Sequence, residues 1–211
     1  MKLTSSAFAT LLATHVAILH AESDTDERGL LVEKVVGGKP APDGGYPSYA
    51  IPRVGLFGSG LCGSVKIWDD ILLSAGHCLG VVSGNDMFIG GNLLSGDDAP
   101  ETIRAVGERR HPLYNDATVE YDFLLIKLAE PSTAPSAPWN DDPSVPNDGD
   151  RVTVVGFGTT SQGGSVSNDL LEVDIAVSNY DSCNSIYSGG ISDATMICGY
   201  ANNADSCQGD R

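Results

Sequence analysis

The stretch Ser74-Ala75-Gly76-His77-Cys78 sets a histidine between small residues at the end of a short apolar run, residues 71–74. A second cysteine, Cys62, precedes Cys78 by 16 positions. A Cys62–Cys78 disulfide would pin the loop that carries the histidine. The pattern therefore predicts an accessible imidazole at a strand end. A core histidine beside a structural disulfide is the alternative, and the stretch alone does not separate the two.

A carboxylate that needs a partner follows at Asp122, directly before the apolar run Phe123-Leu124-Leu125-Ile126. Burying a carboxylate costs several kcal/mol unless it is hydrogen-bonded or paired. An imidazole N–H would satisfy it, and His77 is the candidate. A plain turn residue at the start of a strand is the weaker interpretation of Asp122.

The rest of the chain reads as short apolar runs separated by Gly, Pro, Asn and Asp, which favours an antiparallel sandwich or barrel. One short helix is predicted at 179–187. The Pro-, Ala- and Asp-rich segment 131–146 is predicted to be a connector between two halves, held down by Trp139. The predicted strands are 48–54, 64–68, 71–74, 87–89, 123–128, 152–157 and 170–177.

Composition limits the class of protein and its partners. The 211 residues include 41% hydrophobic residues and 25 glycines, typical of a globular chain and not of a disordered, collagen-like or coiled-coil one. Twelve Lys and Arg stand against 28 Asp and Glu, a formal charge of −16 that excludes nucleic acid as a natural partner. We expect no cofactor and no metal, because the acidic clusters lack calcium-loop spacing. We expect no membrane partner either, because no segment after the N-terminal region is a candidate span.

The N-terminal region resembles export and processing signals. Residues 1–21 combine Lys2 with a short apolar stretch and end on a small residue, which predicts a cleaved signal peptide and a secreted, extracellular protein. Residues 22–34 are charged and end at Lys34, a position that a processing protease could reach. They are predicted to be an activation propeptide.

Five elements in this order resemble the trypsin/chymotrypsin family of serine proteases. They are Val35-Val36-Gly37-Gly38, Ala75-Gly76-His77-Cys78, Asp122 with its Leu-rich strand, Gly156-Phe157-Gly158, and the stretch from Asp205 to Asp210. The resemblance covers residues 35–211. It implies an all-β fold of two antiparallel six-stranded barrels, with the second barrel truncated in this chain.

The resemblance also implies roles for individual residues. His77 would be the general base and Asp122 its orienting carboxylate, as in the Ser-His-Asp mechanism of this family. The Gly209 N–H would donate to the oxyanion. Asp205 would lie at the base of the specificity pocket and favour protein or peptide substrates with Arg or Lys. Asp210 would pair with the α-amino group of Val35 after cleavage at Lys34.

The sequence departs from the family at the nucleophile. The family has serine after Gly-Asp, and here Arg211 occupies that position. Arginine stays protonated and cannot attack a carbonyl, so no nucleophile is assigned. Among the five cysteines, Cys183 and Cys198 are suitably separated to bridge, and the family's partner of Cys207 would lie beyond the nucleophile.

Three hypotheses remain open. The first is a secreted endopeptidase that cleaves after Arg or Lys and whose given chain ends before its serine, so that this chain is inactive. The second is a non-catalytic secreted protease homologue that binds a protein target as an inhibitor or decoy. In the third the product does not fold, because a half-built second barrel exposes unpaired strand edges.

Overall fold

The computed structural model describes residues 38–53, 62–158, 166–187 and 190–200, which all fall within one unit of the chain. These residues form ten strands, one 3₁₀ helix and one α-helix. The strands are β1 (Lys39–Pro40), β2 (Tyr49–Pro52), β3 (Ser64–Trp68), β4 (Ile71–Ser74), β5 (Asp86–Ile89), β6 (Glu101–Arg110), β7 (Leu124–Leu128), β8 (Arg151–Gly156), β9 (Leu171–Ser178) and β10 (Cys198–Tyr200). The 3₁₀ helix is Gly76–Cys78 and the helix α1 is Tyr180–Ile186.

Six antiparallel strands close into a barrel in the order β2-β3-β4-β7-β6-β5. The alternation in β7 shows why the sequence forms it: Leu124, Ile126 and Leu128 are fully buried, whereas Leu125 and Lys127 face outward. Buried side chains from the other strands complete the core. They include Ala50, Leu72, Met87, Ile89, Ile103 and Ala105.

Strand β6 closes the barrel, and the sequence did not predict it. Half of its residues are charged, and its inward positions include the modest side chains of Ile103 and Ala105. Its place is decided by pairing, since it bonds to β5 on one side and to β7 on the other, with a register shift between Ala105 and Gly107. Tertiary context overrides the weak local pattern here.

The second half of the described chain contributes three strands, β8, β9 and β10, to a four-stranded antiparallel sheet whose fourth strand is β1. Strand β9 lies at its centre, pairing with β1, β8 and β10. A second core packs Phe157 and Leu170 from this half against Ile51 and Phe88 of the barrel. The predicted all-β class with a closed six-stranded barrel is confirmed. A second, truncated barrel stays a prediction, because the described strands of this half belong to the four-stranded sheet and residues 201–211 lie outside the described part.

The connector 131–146 contains no strand, as predicted, but the expectation for Trp139 was wrong. Trp139 is 61% exposed and belongs to none of the hydrophobic clusters among the described residues. The buried Lys66 attaches the connector instead, because its Nζ donates to the Ala134 carbonyl at 2.5 Å. Backbone bonds from Ser132 N to Asp69 O (2.7 Å) and from Ala137 N to Lys66 O (2.8 Å) add to this attachment.

Helix α1 begins where the sequence predicts. The Asn179 side chain accepts a hydrogen bond from the Ser182 N–H at 2.9 Å, an N-cap that satisfies one of the free donors of the first turn. In the described part of the chain, no helix is both long and apolar enough to cross a membrane.

Glu172 on β9 fastens the N-terminal segment to the second sheet. Its carboxylate accepts the Tyr46 hydroxyl at 2.5 Å and lies 3.1 Å from the Lys39 ammonium. The Tyr46 hydrogen bond, with the contribution of Lys39, lowers the pKa of Glu172. Burial together with the bond to Glu172 raises the pKa of Tyr46 to about 12.

These shifts make the contact depend on pH. We expect Glu172→Gln to reduce the free energy of unfolding by about 1–2 kcal/mol at pH 7. The stabilisation from Glu172 should be present above its unfolded pKa and disappear as pH falls through its lowered folded value. The part from Tyr46 should be present below pH 10 and be lost as pH rises through about 12. The free energy of unfolding, measured by urea denaturation at a series of pH values, shows both the acid loss from Glu172 and the alkaline loss from Tyr46.

The matched variants are Tyr46→Phe and Lys39→Met. Tyr46→Phe should be non-additive with Glu172→Gln, because one change removes and the other weakens the same hydrogen bond. Lys39→Met should have little effect, since the lysine side chain is 73% exposed. Equal, pH-independent losses in all three variants would contradict this account of the contact.

Candidate active site

The barrel register brings the two candidate residues to one end of neighbouring strands. Ser74, the last residue of β4, pairs with Leu124, the first residue of β7. His77 follows Ser74 by three positions and Asp122 precedes Leu124 by two. Because the strands are antiparallel, both residues lie at the same end of the barrel and can meet.

His77 and Asp122 are joined by two hydrogen bonds. The Nδ1 atom of His77 lies 2.8 Å from Asp122 Oδ2, and the backbone N–H of His77 donates to Asp122 Oδ1 at 2.8 Å. The His77 side chain is 37% exposed and the Asp122 side chain is 22% exposed. Each carboxylate oxygen thus has its own donor, which fixes the plane of the imidazole and leaves its Nε2 edge for a reacting group.

The turn that carries His77 is tethered from both sides. A disulfide joins Cys62 to Cys78, directly after the histidine. On the other side, the buried Ser74 donates its hydroxyl to the Gly63 carbonyl at 2.7 Å. The Ser74 hydroxyl is therefore used in a structural hydrogen bond within the barrel.

Gly76 allows the close approach of Asp122. A Cβ atom at this position would lie 3.2 Å from Asp122 Oδ1 and 3.1 Å from the Tyr114 ring. The Arg110 guanidinium stacks over the same ring, 4.5 Å from its centre. Burial, followed by the negative charge of Asp122, raises the pKa of Tyr114. Tyr114 therefore stays protonated, and its uncharged ring lies beside the Asp122 carboxylate.

Glu108 supports the loop after His77, although no sequence motif predicts this role. Its Oε1 accepts the N–H groups of Val82 (3.0 Å) and Ser83 (2.9 Å), and its Oε2 accepts that of Gly80 at 3.0 Å. A carboxylate with three backbone donors is a strong tether, because hydrogen bonds to charged groups are about twice as strong as neutral ones. The sequence shows Glu108 only as one charged residue in a stretch with no predicted strand, so its contact with the loop could not be predicted.

Two further predicted site residues belong to the described part of the chain. They are Cys183 and Cys198, which form a disulfide that ties helix α1 to β10. The signal peptide and propeptide boundaries, and the functions predicted at the two chain ends, fall outside the described residues. The residues concerned are Lys34, Val35, Asp205, Cys207, Gly209, Asp210 and Arg211.

Comparison with known proteins identifies the chain's relatives. The family model described as Trypsin matches residues 35–211. The chain belongs to the trypsin family. It is 33% identical over 202 residues to Trypsin I-P38 of Gallus gallus, covering 92% of this chain and 77% of the relative. It is 32% identical over 190 residues to Trypsin epsilon of Drosophila erecta, covering 84% and 70%.

The trypsin family also contains longer matching proteins. The chain is 31% identical over 188 residues to Transmembrane protease serine 9 of Rattus norvegicus but spans only 17% of its length. Among solved structures, the one described as "Structure of GrC" superposes with a TM-score of 0.71 at 22% identity, covering 79% of this chain and 75% of the other. That likeness supports the fold alone. The family to which the chain belongs consists of serine endopeptidases, which hydrolyse proteins or peptides.

The tether by Glu108 gives a testable prediction. Glu108→Ala leaves three backbone donors without their acceptor and should lower the free energy of unfolding by about 2–3 kcal/mol. Glu108→Gln should cost less, because its carbonyl oxygen can still accept. Amide hydrogen exchange should accelerate at Gly80, Val82 and Ser83 in the alanine variant, and chemical denaturation gives the free energy.

Glu130→Ala, which removes an exposed carboxylate just after β7, is the matched control and should change neither quantity. Unchanged exchange at the three amides in Glu108→Ala would show that the carboxylate does not hold this loop.

Proposed function

We propose that this chain comes from a secreted, trypsin-like serine endopeptidase that cleaves after Arg or Lys, with His77 as general base and Asp122 as its orienting carboxylate. The observation that carries the proposal is the two-bond contact between Asp122 and His77. One bond alone would suit a structural pair. Here the Nδ1 contact sets the tautomer of the imidazole, and the backbone bond holds the carboxylate that accepts it, as proton transfer requires.

In this proposal His77 acts through its Nε2 atom. Asp122 accepts the Nδ1–H, so the neutral ring carries its lone pair on Nε2. There the ring takes the proton of an attacking hydroxyl, and the adjacent carboxylate stabilises the imidazolium that results. The same ring then returns the proton to the leaving amine. The part-exposed position of His77 suits contact with a substrate.

The remaining roles are proposed on the family resemblance. Asp205 would receive the Arg or Lys side chain of a protein substrate, and the Gly209 N–H would stabilise the oxyanion. Cleavage after Lys34 would release the α-amino group of Val35 to pair with Asp210, which makes residues 22–34 a zymogen propeptide. Secretion is supported by two disulfides, a bond typical of oxidising compartments.

The chain differs from its family at the position of the nucleophilic serine. Arg211 follows Gly209-Asp210 where the family has serine. For the 211-residue chain itself we therefore propose no peptide hydrolysis by this mechanism. The same residue favours the second candidate, a non-catalytic secreted homologue that binds a protein target.

The transcript read through codon 211 discriminates the two candidates. Codons for Ser-Gly-Gly-Pro that follow Asp210, in another frame or exon, support the endopeptidase. A stop codon directly after Arg211, together with an abundant secreted product and a defined partner in pull-downs, supports the non-catalytic homologue.

The activity itself is tested with fluorogenic peptide amides. The 211-residue chain, cleaved after Lys34, should give no turnover. A chain that carries serine and the downstream residues should cleave after Arg and Lys, and His77→Ala should lower its kcat by about 10⁴-fold or more. Cleavage that survives His77→Ala would contradict the general-base role, whereas cleavage after aromatic residues would contradict the role of Asp205.

A further inference from the structure

The segment between β6 and β7, residues 111–123, delivers Asp122 to His77, and its backbone is fixed on both sides of the carboxylate. The His111 N–H donates to the Phe123 carbonyl at 2.9 Å, and the Phe123 N–H donates to the Tyr121 carbonyl at 2.8 Å. The second bond closes a tight turn around Asp122. The direction of its side chain therefore depends on the conformation of Tyr121.

Tyr121 is held in an unfavourable backbone conformation. Its φ is +55°, and that of Val119 in the same segment is +58°. Positive φ is uncommon outside glycine and is an outlier for a β-branched residue such as valine. Such conformations persist only where surrounding contacts impose them, and they cluster at functional sites.

The contact that faces Tyr121 is the ring of His111. The two rings are stacked, with centres 4.9 Å apart and planes 6° from parallel. The Phe123 ring meets the imidazole edge-on at 6.3 Å and 68°. The Nδ1 atom of His111 accepts the Leu113 N–H at 3.2 Å, which fixes the ring within its own turn. The imidazole thus touches both residues that flank Asp122.

We propose that His111 is a positioning residue for Asp122. Its ring stacks on Tyr121 and keeps that residue in the left-handed conformation, which aims the following carboxylate at both the N–H and Nδ1 of His77. This role rests on the proposed function of the His77–Asp122 pair, and His111 itself exchanges no proton with a substrate. Without the ring, Tyr121 relaxes to negative φ and the Asp122 carboxylate turns away from one or both donors.

Proton NMR of the full ¹⁵N-labelled chain tests the role without any need for proteolysis. An imidazole Nδ1 proton held by a carboxylate resonates far downfield of the amide protons, and its loss in His77→Ala assigns it. We expect the signal in the unaltered chain and its loss in His111→Ala and His111→Leu. We expect His111→Phe to retain it, because phenylalanine preserves a flat ring over Tyr121.

Two comparisons separate positioning from general stability. Ile103→Ala removes a buried side chain from β6 and should retain the signal despite its lower stability. If His111→Ala fails to fold, the pair His111→Leu and His111→Phe carries the test, since both side chains are apolar and only one has a ring. An unchanged signal in the folded leucine or alanine variant would overturn the positioning role. Its absence from the folded unaltered chain would overturn the His77–Asp122 pair itself, and thus the proposed function.

Discussion

The pairing of β7 with β4 on one side and β6 on the other is the constraint on which the described structure depends. It closes the barrel, and its register sets Ser74 opposite Leu124. The residues beyond these two ends are His77 and Asp122. A shift of one residue would move the buried side chains of β7 to the outer face. The register that fills the core is therefore the same one that assembles the candidate site.

Strand β6 supports both halves of this site. Glu108 accepts three N–H groups from the loop after His77, and His111, directly after the strand, packs against the residues that flank Asp122. Arg110, the last residue of β6, covers the tyrosine ring that lies beside the carboxylate. A strand that contributes no member of the pair, together with the residue that follows it, thus contacts the segments that carry both members. The polar residues that weaken its sequence pattern are those that do this.

The sequence predicts the parts whose cause is local. Strands β3 and β4 have the predicted bounds, since short apolar runs between turns determine them, and the helix at 180–186 follows its Asn179 cap. The contact of Asp122 with His77 was predictable in kind, because a carboxylate at the start of a buried strand requires a partner. The parts decided by tertiary contacts were not. Strand β6 depends on its neighbours, Trp139 is exposed where anchoring was expected, and the His111 ring stacks on Tyr121, a contact that no local sequence pattern specifies.

The barrel presents His77 held by two hydrogen bonds to Asp122, and the backbone bond allows the most direct test of this arrangement. Amide hydrogen exchange at His77 in the unaltered chain should be slow although the residue is exposed, because its N–H is donated to Asp122 Oδ1 at 2.8 Å. In Asp122→Ala the same amide should exchange at the rate of an open loop while the amides of β4 stay protected. Fast exchange at His77 in the unaltered folded chain, or protection that survives Asp122→Ala, would show that the Asp122 carboxylate does not hold the His77 amide.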